Sequence, residues 1–205
     1  MSDFAAGSSA DAAGPAEYAR ACVRRLVARH GAPPPPPEHP FYAHRAACFV
    51  TLKKHGELRG CIGTLEPAEP DLGGEIARNA HSAALRDPRF PPVGEDELEA
   101  LVCSVDVLSP SEECELAGLD PAQYGVIVSA GPRRGVLLPD LTGVDTVGQQ
   151  VGIALQKAGI RPEEPFRVQR FTVTRFREGD APPDDTHDTR LDVAPGGAHG
   201  DEADG

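Results

Sequence analysis

The sequence has no tryptophan, one methionine and few aromatic residues, which make up 5% of its 205 residues. It has no apolar run of about 18 residues, the length that a membrane-spanning helix needs. The segment from Met1 to Ala16 has neither a basic start nor an apolar stretch, so we expect no secretory signal. These absences predict a cytoplasmic protein without a membrane segment.

Several motifs of known chemistry are also missing. The cysteines form no Cys-x-x-Cys pair, and their number is odd, which indicates free thiols rather than a disulfide framework. Neither the Gly-x-Ser-x-Gly turn of α/β-hydrolases nor the Gly-Lys-Ser/Thr end of a phosphate-binding loop occurs. We therefore predict no metal site, and the sequence leaves any cofactor unknown.

Charge is distributed unevenly along the chain. The formal net charge is -12, and the segment Glu178–Gly205 contains nine acidic residues and one basic residue. Both ends have too few large apolar side chains to offset the entropy of ordering. We predict a disordered N-terminal segment at residues 1–14, one domain at 15–178, and an acidic disordered tail at 179–205. The domain itself is nearly neutral, so the overall acidity does not exclude a small anionic ligand.

Hydrophobic periodicity predicts alternating hairpins and helices. Apolar residues recur every three or four positions in three segments, which predicts helices about Pro15 to His30, Asp71 to Arg86 and Thr146 to Ala158. Period-two or short apolar segments predict strands at 48–53, 58–64, 101–108, 125–129, 135–138 and 166–177. No repeat period is visible. This order favours an α+β fold: a single domain with an antiparallel-rich sheet and about three packed helices.

The segment Leu58-Arg-Gly-Cys-Ile-Gly63 contains the first candidate site. Because strand side chains alternate, Arg59 and Cys61 share one face if the flanking leucine and isoleucine point into the core. Gly60 and Gly63 then leave room beside the thiol, and the nearby guanidinium favours the reactive thiolate. A cysteine acting as a small buried hydrophobe fits the same pattern equally well.

A second candidate segment runs from Asn79 to Phe90. His81 lies at the edge of the predicted helix's apolar face, where it would serve as the base for Cys61 if the helix packs over the hairpin. A structural histidine is the more common case. Asp87 and Arg89 flank a proline and are candidate binding residues, although turn hydrogen bonds and a surface ion pair are the simpler account.

The third candidate segment is Gly131–Pro139, which places two arginines at a predicted turn tip. Guanidinium groups bind phosphate and carboxylate through paired N–H donors. Arg134 is therefore a candidate binding residue, whereas a solvated position is the more common case for Arg133.

Together these segments resemble the AMMECR domain family, whose bacterial and archaeal members are called AmmeMemoRadiSam system protein A. The resemblance covers about Pro15 to Glu178 and is carried by ordered motifs at 58–63, 83–90, 134–139 and 157–160. It implies an α+β fold with an antiparallel sheet and packed helices. The chain departs from the family in lacking the tryptophan usual after the Leu-Leu-Pro motif, and Leu155 replaces a common cysteine.

The resemblance implies a pathway rather than a reaction. Relatives are often encoded with, or fused to, a Memo-type protein and a radical SAM enzyme, so both are expected partners in a shared modification pathway. Human relatives have been linked to adaptor roles between proteins.

Two hypotheses follow. In the first, Cys61 is a reactive group in a small-molecule or anion site and His81 exchanges its proton; the binding residues would be Arg59, Gly60, Gly63, Asp87, Arg89 and Arg134. In the second, the chain is a non-catalytic adaptor or binding module for a protein or RNA partner. Nucleic acid is the less favoured partner.

Overall fold

The computed structural model describes residues 13–28 and 31–183. Most of the predicted N-terminal segment and of the acidic tail lies outside these ranges. Within them, no helix has both the length and the apolar character that crossing a membrane requires.

Three long helices form close to where periodicity predicts them. They are α1 (Pro15–Val27), α3 (Leu72–Leu85) and α4 (Val147–Ala158), with a single additional turn, α2 (Pro40–Ala43). Local capping explains their ends. The Asp71 carboxylate accepts the Gly74 N–H at 2.7 Å before α3, and Gly159 ends α4 in the left-handed conformation with a φ of +64°.

Across residues 13–28 and 31–183, eight strands form two antiparallel four-stranded sheets, which confirms the α+β class. The strands are β1 (Cys48–Lys54), β2 (Glu57–Gly63), β3 (Leu101–Leu108), β4 (Glu112–Glu113), β5 (Gly125–Ala130), β6 (Arg133–Leu137), β7 (Arg167–Phe171) and β8 (Val173–Arg177). The first sheet has the order β2-β1-β3-β8 and the second β4-β7-β5-β6. Helices α1 and α3 cover one face of the first sheet, and α4 packs on the second.

The predicted strand at 166–177 is wrong as a single element, because it is β7 in the second sheet followed by β8 in the first. The chain crosses between sheets at Thr172. Its N–H donates to the Ser109 hydroxyl at 2.9 Å, and its carbonyl accepts the Ser109 N–H at 3.0 Å. Apolar residues recur every two or three positions from 166 to 176, so the sequence pattern does not mark the crossing.

The predicted arginine turn is also corrected. Arg133 and Arg134 lie in β6, where they pair with Ala130 and Ser129 of β5. Only Gly131 and Pro132 form the turn, and Gly131 takes a φ of +58° there. Arg134 is therefore a strand residue rather than a turn-tip residue.

The fold contains an internal repeat that the sequence does not show. The order β1-β2-α3-β3 recurs as β5-β6-α4-β7, and in both units the last strand pairs with the first strand of the hairpin. The fourth strand of each sheet is exchanged: β4, which follows β3, joins the second sheet, and β8, which follows β7, joins the first. This exchange ties the two units into one domain.

Each unit has a glycine at the point where its helix lies on its hairpin. A Cβ on Gly60 of β2 would lie 2.2 Å from the Ala83 carbonyl oxygen of α3, and one on Gly135 of β6 would lie 2.0 Å from the Ala154 oxygen of α4. Both positions require glycine because the helix backbone occupies the side-chain space. The contact also establishes that the Gly60 side of β2 faces α3.

The two sheets meet at a small apolar seam, made of buried Ala47, Leu108, Ile127 and Phe171 with Phe49, Leu65, Val136, Leu138 and Val173 around them. The seam covers one end of the first sheet's helix-free face. The remainder of that face, which we call the open face, is not covered by α1 or α3.

Candidate functional site

Cys61 lies on the open face of the first sheet. Side chains alternate along β2, so the thiol points away from α3, which contacts the preceding Gly60. Thr51 is its register partner on β1, and the Thr51 hydroxyl donates to the Cys61 sulfur at 3.3 Å. The thiol is partly exposed, so the interpretation as a small buried hydrophobe does not apply.

Three other cysteines lie in the core and are poor nucleophiles. Burial raises the pKa of the Cys22 thiol to about 11 and the pKa values of Cys48 and Cys103 to about 12. Cys114 is partly exposed in the second sheet, and burial raises the pKa of its thiol as well. A thiolate at neutral pH is therefore disfavoured at all four positions.

The structure does not bring His81 to the thiol. Helix α3 packs on the Gly60 side of β2, whereas Cys61 points to the other side, and within the described ranges no hydrogen bond joins the two side chains. Burial lowers the pKa of His81, with a further contribution from the Arg86 guanidinium. Helix α3 does pack over the hairpin, which was the condition for a role of His81, but it packs on the face opposite the thiol.

Arg59 is also turned away from the thiol, because it is the extra residue of a β-bulge. Leu52 pairs with Gly60, while the next residue of β1 pairs with Leu58. The bulge leaves the Leu58 side chain 42% exposed rather than in the core.

The Arg59 guanidinium binds Glu97 through two bonds, Nε to Oε1 at 3.0 Å and Nη2 to Oε2 at 2.8 Å. Lys54 donates to the same carboxylate at 2.9 Å. These hydrogen bonds hold the pKa of the Glu97 carboxyl well below its usual range, and the bonds from Arg59 contribute more than the bond from Lys54. Arg59 thus anchors the 3₁₀ turn Glu95–Ala100 to the hairpin.

Asp87 and Arg89 close the outer edge of β2 at Cys61. The Asp87 carboxylate accepts the Cys61 N–H at 2.9 Å, and Arg89 Nη2 donates to the Cys61 carbonyl at 3.0 Å. The two side chains also bind each other, with Nε to Oδ1 at 2.9 Å and Nη2 to Oδ2 at 2.7 Å. The pair satisfies backbone groups that an edge strand would otherwise expose.

This clamp has an electrostatic consequence at the thiol. The Arg89 hydrogen bond holds the pKa of the Asp87 carboxyl well below its usual range. Asp87 in turn raises the pKa of the Arg89 guanidinium, and the Cys61 sulfur makes a smaller contribution in the same direction. A guanidinium therefore lies beside the thiol as the sequence analysis expected, but it belongs to Arg89 rather than to Arg59.

The remaining predicted binding residues serve packing or a surface ion pair. A Cβ on Gly63 would lie 2.2 Å from the Phe49 ring, so the missing side chain makes room for that ring and not for a ligand. Gly60 likewise makes room for α3. Arg134 binds Glu66 at 2.7 Å in the loop after β2.

Sequence reasoning missed Thr51, Asp106 and Arg175 on the same open face. Arg175 of β8 binds Asp106 of β3 through Nε to Oδ1 at 2.6 Å and Nη2 to Oδ2 at 2.8 Å. Asp106 chiefly raises the pKa of the Arg175 guanidinium, and Asp140 and Cys61 contribute less. Arg175 is thus within electrostatic range of the thiol. The alternation of side chains along β8 marks Arg175 as a surface residue. Which side chains lie next to it follows only from the order of the strands in the sheet.

The open face can present a nucleophile but holds no complete catalytic set. A hydroxyl donor and a nearby guanidinium both favour the thiolate form of cysteine. Among the residues that the structure describes, no group of three or more His, Cys, Asp or Glu side chains could hold a metal ion. Two concavities of about 870 and 450 Å³ flank Phe166 and Arg167 at the second sheet, and none of the predicted site residues lines them.

Comparison with known proteins gives a consistent assignment. The AMMECR1 family model matches residues 16–179. A protein from Thermotoga maritima is 54% identical over 141 residues, which cover 67% of this chain and 80% of that protein. A protein from Clostridium acetobutylicum is 52% identical over 130 residues, but these are only 28% of its length and 63% of this chain. The crystal structure of the uncharacterized protein PH0010 from Pyrococcus horikoshii has a TM-score of 0.73 and 29% identity, covering 82% of this chain and 91% of that one.

Proposed function

This chain belongs to the AMMECR1 family, and we propose that it is a component of a radical SAM- and Memo-linked modification pathway in which the Cys61 thiol is the reacting group. The pathway assignment rests on the motifs shared with AmmeMemoRadiSam system protein A.

One observation carries the role of Cys61. Its partly exposed sulfur accepts a hydrogen bond from the Thr51 hydroxyl at 3.3 Å, on the sheet face opposite α1 and α3. The Arg89 guanidinium donates to the backbone carbonyl of Cys61 at 3.0 Å. A hydroxyl donor and a guanidinium beside a thiol favour the thiolate in general, and a sulfur that has lost its proton to solvent attacks an electrophilic carbon as that carbon's leaving-group bond or π bond breaks. A dedicated base is then unnecessary, in keeping with the position of His81.

Alkylation kinetics test this proposal. In the folded protein we expect iodoacetamide to modify Cys61 faster than Cys114, because burial raises the pKa of Cys114 and so lowers its thiolate fraction. The rates are read by mass spectrometry of the corresponding peptides. Thr51→Val removes the hydroxyl donor and is expected to slow Cys61 alone. Equal rates at the two cysteines, or modification only after denaturation, would overturn the proposal.

A second candidate function is a non-catalytic protein adaptor, and specific contacts favour it. The guanidinium groups of Arg59, Arg89 and Arg134 are each already paired with a carboxylate. Leu58 of β2 and Val102 of β3 are 42% and 53% exposed on the open face, one on either side of Lys53 of β1. Apolar side chains exposed together are typical of a protein interface.

Co-purification with a Memo-type protein separates the two functions. If the chain is an adaptor, we expect the double variant Leu58→Asp/Val102→Asp to lose the partner while Cys61→Ser retains it. The reverse pattern favours the reacting thiol. An RNA partner would instead show binding that falls steeply with salt concentration.

A further inference from the structure

The short side chains of the open face line up across the strands. Thr51 of β1 pairs with Cys61 of β2 on one side and with Ser104 of β3 on the other. Ser104 in turn pairs with Arg177 of β8. Cys61, Thr51 and Ser104 are all partly buried, although no helix lies over them. The row therefore forms a floor that begins at the thiol and ends at a guanidinium.

Taller side chains border this row on both sides. On one side Lys53 pairs with Leu58 and Val102, and all three side chains are exposed. On the other side Phe49 pairs with Asp106, which binds Arg175, and the seam to the second sheet begins beyond them. We call the space between the two rims the trough. The partly buried floor thus lies between the exposed rim at Lys53 and a second rim where Asp106 is buried and Arg175 is exposed.

The length and charge of the trough restrict what it can hold. Strands lie about 4.8 Å apart, so the three steps from β2 to β8 span roughly 14 Å. In the described part of the chain, the side chains of Lys53 and Arg177 have no ion-pair partner, and Nη1 of Arg175 has no hydrogen bond. Asp106 and Asp140 are the carboxylates near Arg175, and the Asp180 carboxylate accepts the Arg177 backbone N–H at 2.6 Å. Positive charge therefore remains available at the end of the trough opposite the thiol.

We propose that the trough binds a small elongated molecule whose oxyanion group, a carboxylate or a phosphate, is held by Arg175 and Arg177, and whose electrophilic carbon lies at the Cys61 sulfur. This inference rests on the proposed function and names the substrate class of its site. The hydroxyl groups of Thr51 and Ser104 along the floor provide hydrogen bonds to the middle of such a molecule. In the reaction with an activated double bond, the carbon–sulfur bond forms as the π bond breaks, and the neighbouring atom takes a proton from water.

The spacing of thiol and arginines accounts for the length requirement. The Asp106 carboxylate holds the Arg175 guanidinium over β3, two strands from Cys61, whereas Arg177 is exposed on β8, three strands away. A reagent with its anionic group close to the reacting carbon cannot meet the thiol and these arginines together. A longer one can, so the preference for an anion should grow with reagent length.

Paired maleimides test the inference on the full chain. We expect 6-maleimidohexanoate to modify Cys61 about fivefold faster than its neutral amide, the size of effect that one exposed ion pair supplies. The shorter N-maleoylglycinate should show a smaller preference over its own amide, and Cys114 should show none. Arg177→Gln should lower the preference of Cys61 for the charged reagent over its amide, because it removes one of the two arginines that hold the oxyanion.

Arg167→Gln is the matched control. It removes the same charge from β7 of the second sheet, where the Arg167 side chain is 82% exposed. If it lowers the preference for the anionic reagent as much as Arg177→Gln does, that preference arises from the overall electrostatic field of the protein, and the inference is overturned. Equal rates for the charged and neutral reagents at Cys61 would overturn it too.

A binding measurement on a variant that lacks the Cys61 thiol separates this inference from the proposed function. A Cys61 that reacts with neither reagent overturns the proposed function, but the trough can still be examined in Cys61→Ser by backbone amide NMR. Saturable shifts confined to β3 and β8 on adding inorganic phosphate or acetate support the oxyanion site, and the more effective ion indicates which group the ligand carries. The absence of such shifts with both ions overturns it.

Discussion

Replacing Gly60 with alanine is expected to lower the free energy of unfolding by about 3 kcal/mol. The added Cβ would lie 2.2 Å from the Ala83 carbonyl oxygen. That oxygen belongs to the backbone of α3 and cannot rotate away, so the helix has to move off β2 and lose part of its packing. Urea denaturation measures the effect as a lower midpoint with an unchanged slope.

Two further glycines serve as matched controls. Gly135→Ala is expected to destabilise the protein similarly, because its Cβ would lie 2.0 Å from the Ala154 oxygen in the second unit. Gly152 is exposed within α4 and has open space around its Cβ position. Gly152→Ala should therefore stabilise the protein by about 0.5–1 kcal/mol. If Gly60→Ala were as stable as the unmodified protein, the close contact of α3 with β2 would be wrong, and with it the orientation of Cys61.

Asp87→Ala is expected to cost about 3 kcal/mol of stability, because it removes the acceptor of several N–H donors at once. The carboxyl group is nearly buried, and it binds the Cys61 N–H, the Arg89 N–H and the Arg89 guanidinium. Arg89→Ala is the comparison. Its side chain is 52% exposed, so we expect a loss of only about 1 kcal/mol. A larger loss from Arg89→Ala than from Asp87→Ala would contradict the clamp.

The clamp also predicts how stability depends on pH. The folded protein lowers the pKa of Asp87 from its ordinary value of 3.8, so the ionised group stabilises the fold at pH values above that ordinary value. This contribution is lost as the pH falls below about 5 and toward the lowered pKa. The difference in unfolding free energy between the unmodified protein and Asp87→Asn should therefore be largest near neutral pH and shrink in acid. A difference that is independent of pH would show that the carboxylate charge contributes nothing.

Local features of the fold were predictable from the sequence. Asp71 and Thr146 cap the starts of α3 and α4, and a side-chain cap bonds a backbone N–H within the first turn of its own helix. The hairpin of β1 and β2 turns at His55 and Gly56, which both have positive φ values. In these cases the determining contacts are between residues close in the sequence, so periodicity and turn chemistry suffice.

Features that depend on distant pairings were not predictable. The exchange of β4 and β8 between the sheets joins strands far apart in the sequence, and it conceals the repeat of the two units. For the same reason Arg175 could not be placed near Cys61, because strands β3 to β7 lie between them in the chain. Gly60 and Gly63 were expected to leave room for a ligand, but that room is taken by Ala83 of α3 and by Phe49 of β1.

By itself the sequence determined the α+β class, the ends of the helices and the segment that contains the candidate thiol. It also established, through alternation, that Cys61 and Gly60 face opposite sides of β2. Only the tertiary structure decided which of those sides is covered by α3 and which guanidinium lies beside the thiol. The physical reason is that alternation relates neighbouring side chains to each other, whereas the packing of a helix 20 or so residues away determines which face stays open. Arg59 is next but one to the thiol in sequence, yet a one-residue bulge turns it to Glu97, and Arg89 takes the place beside Cys61.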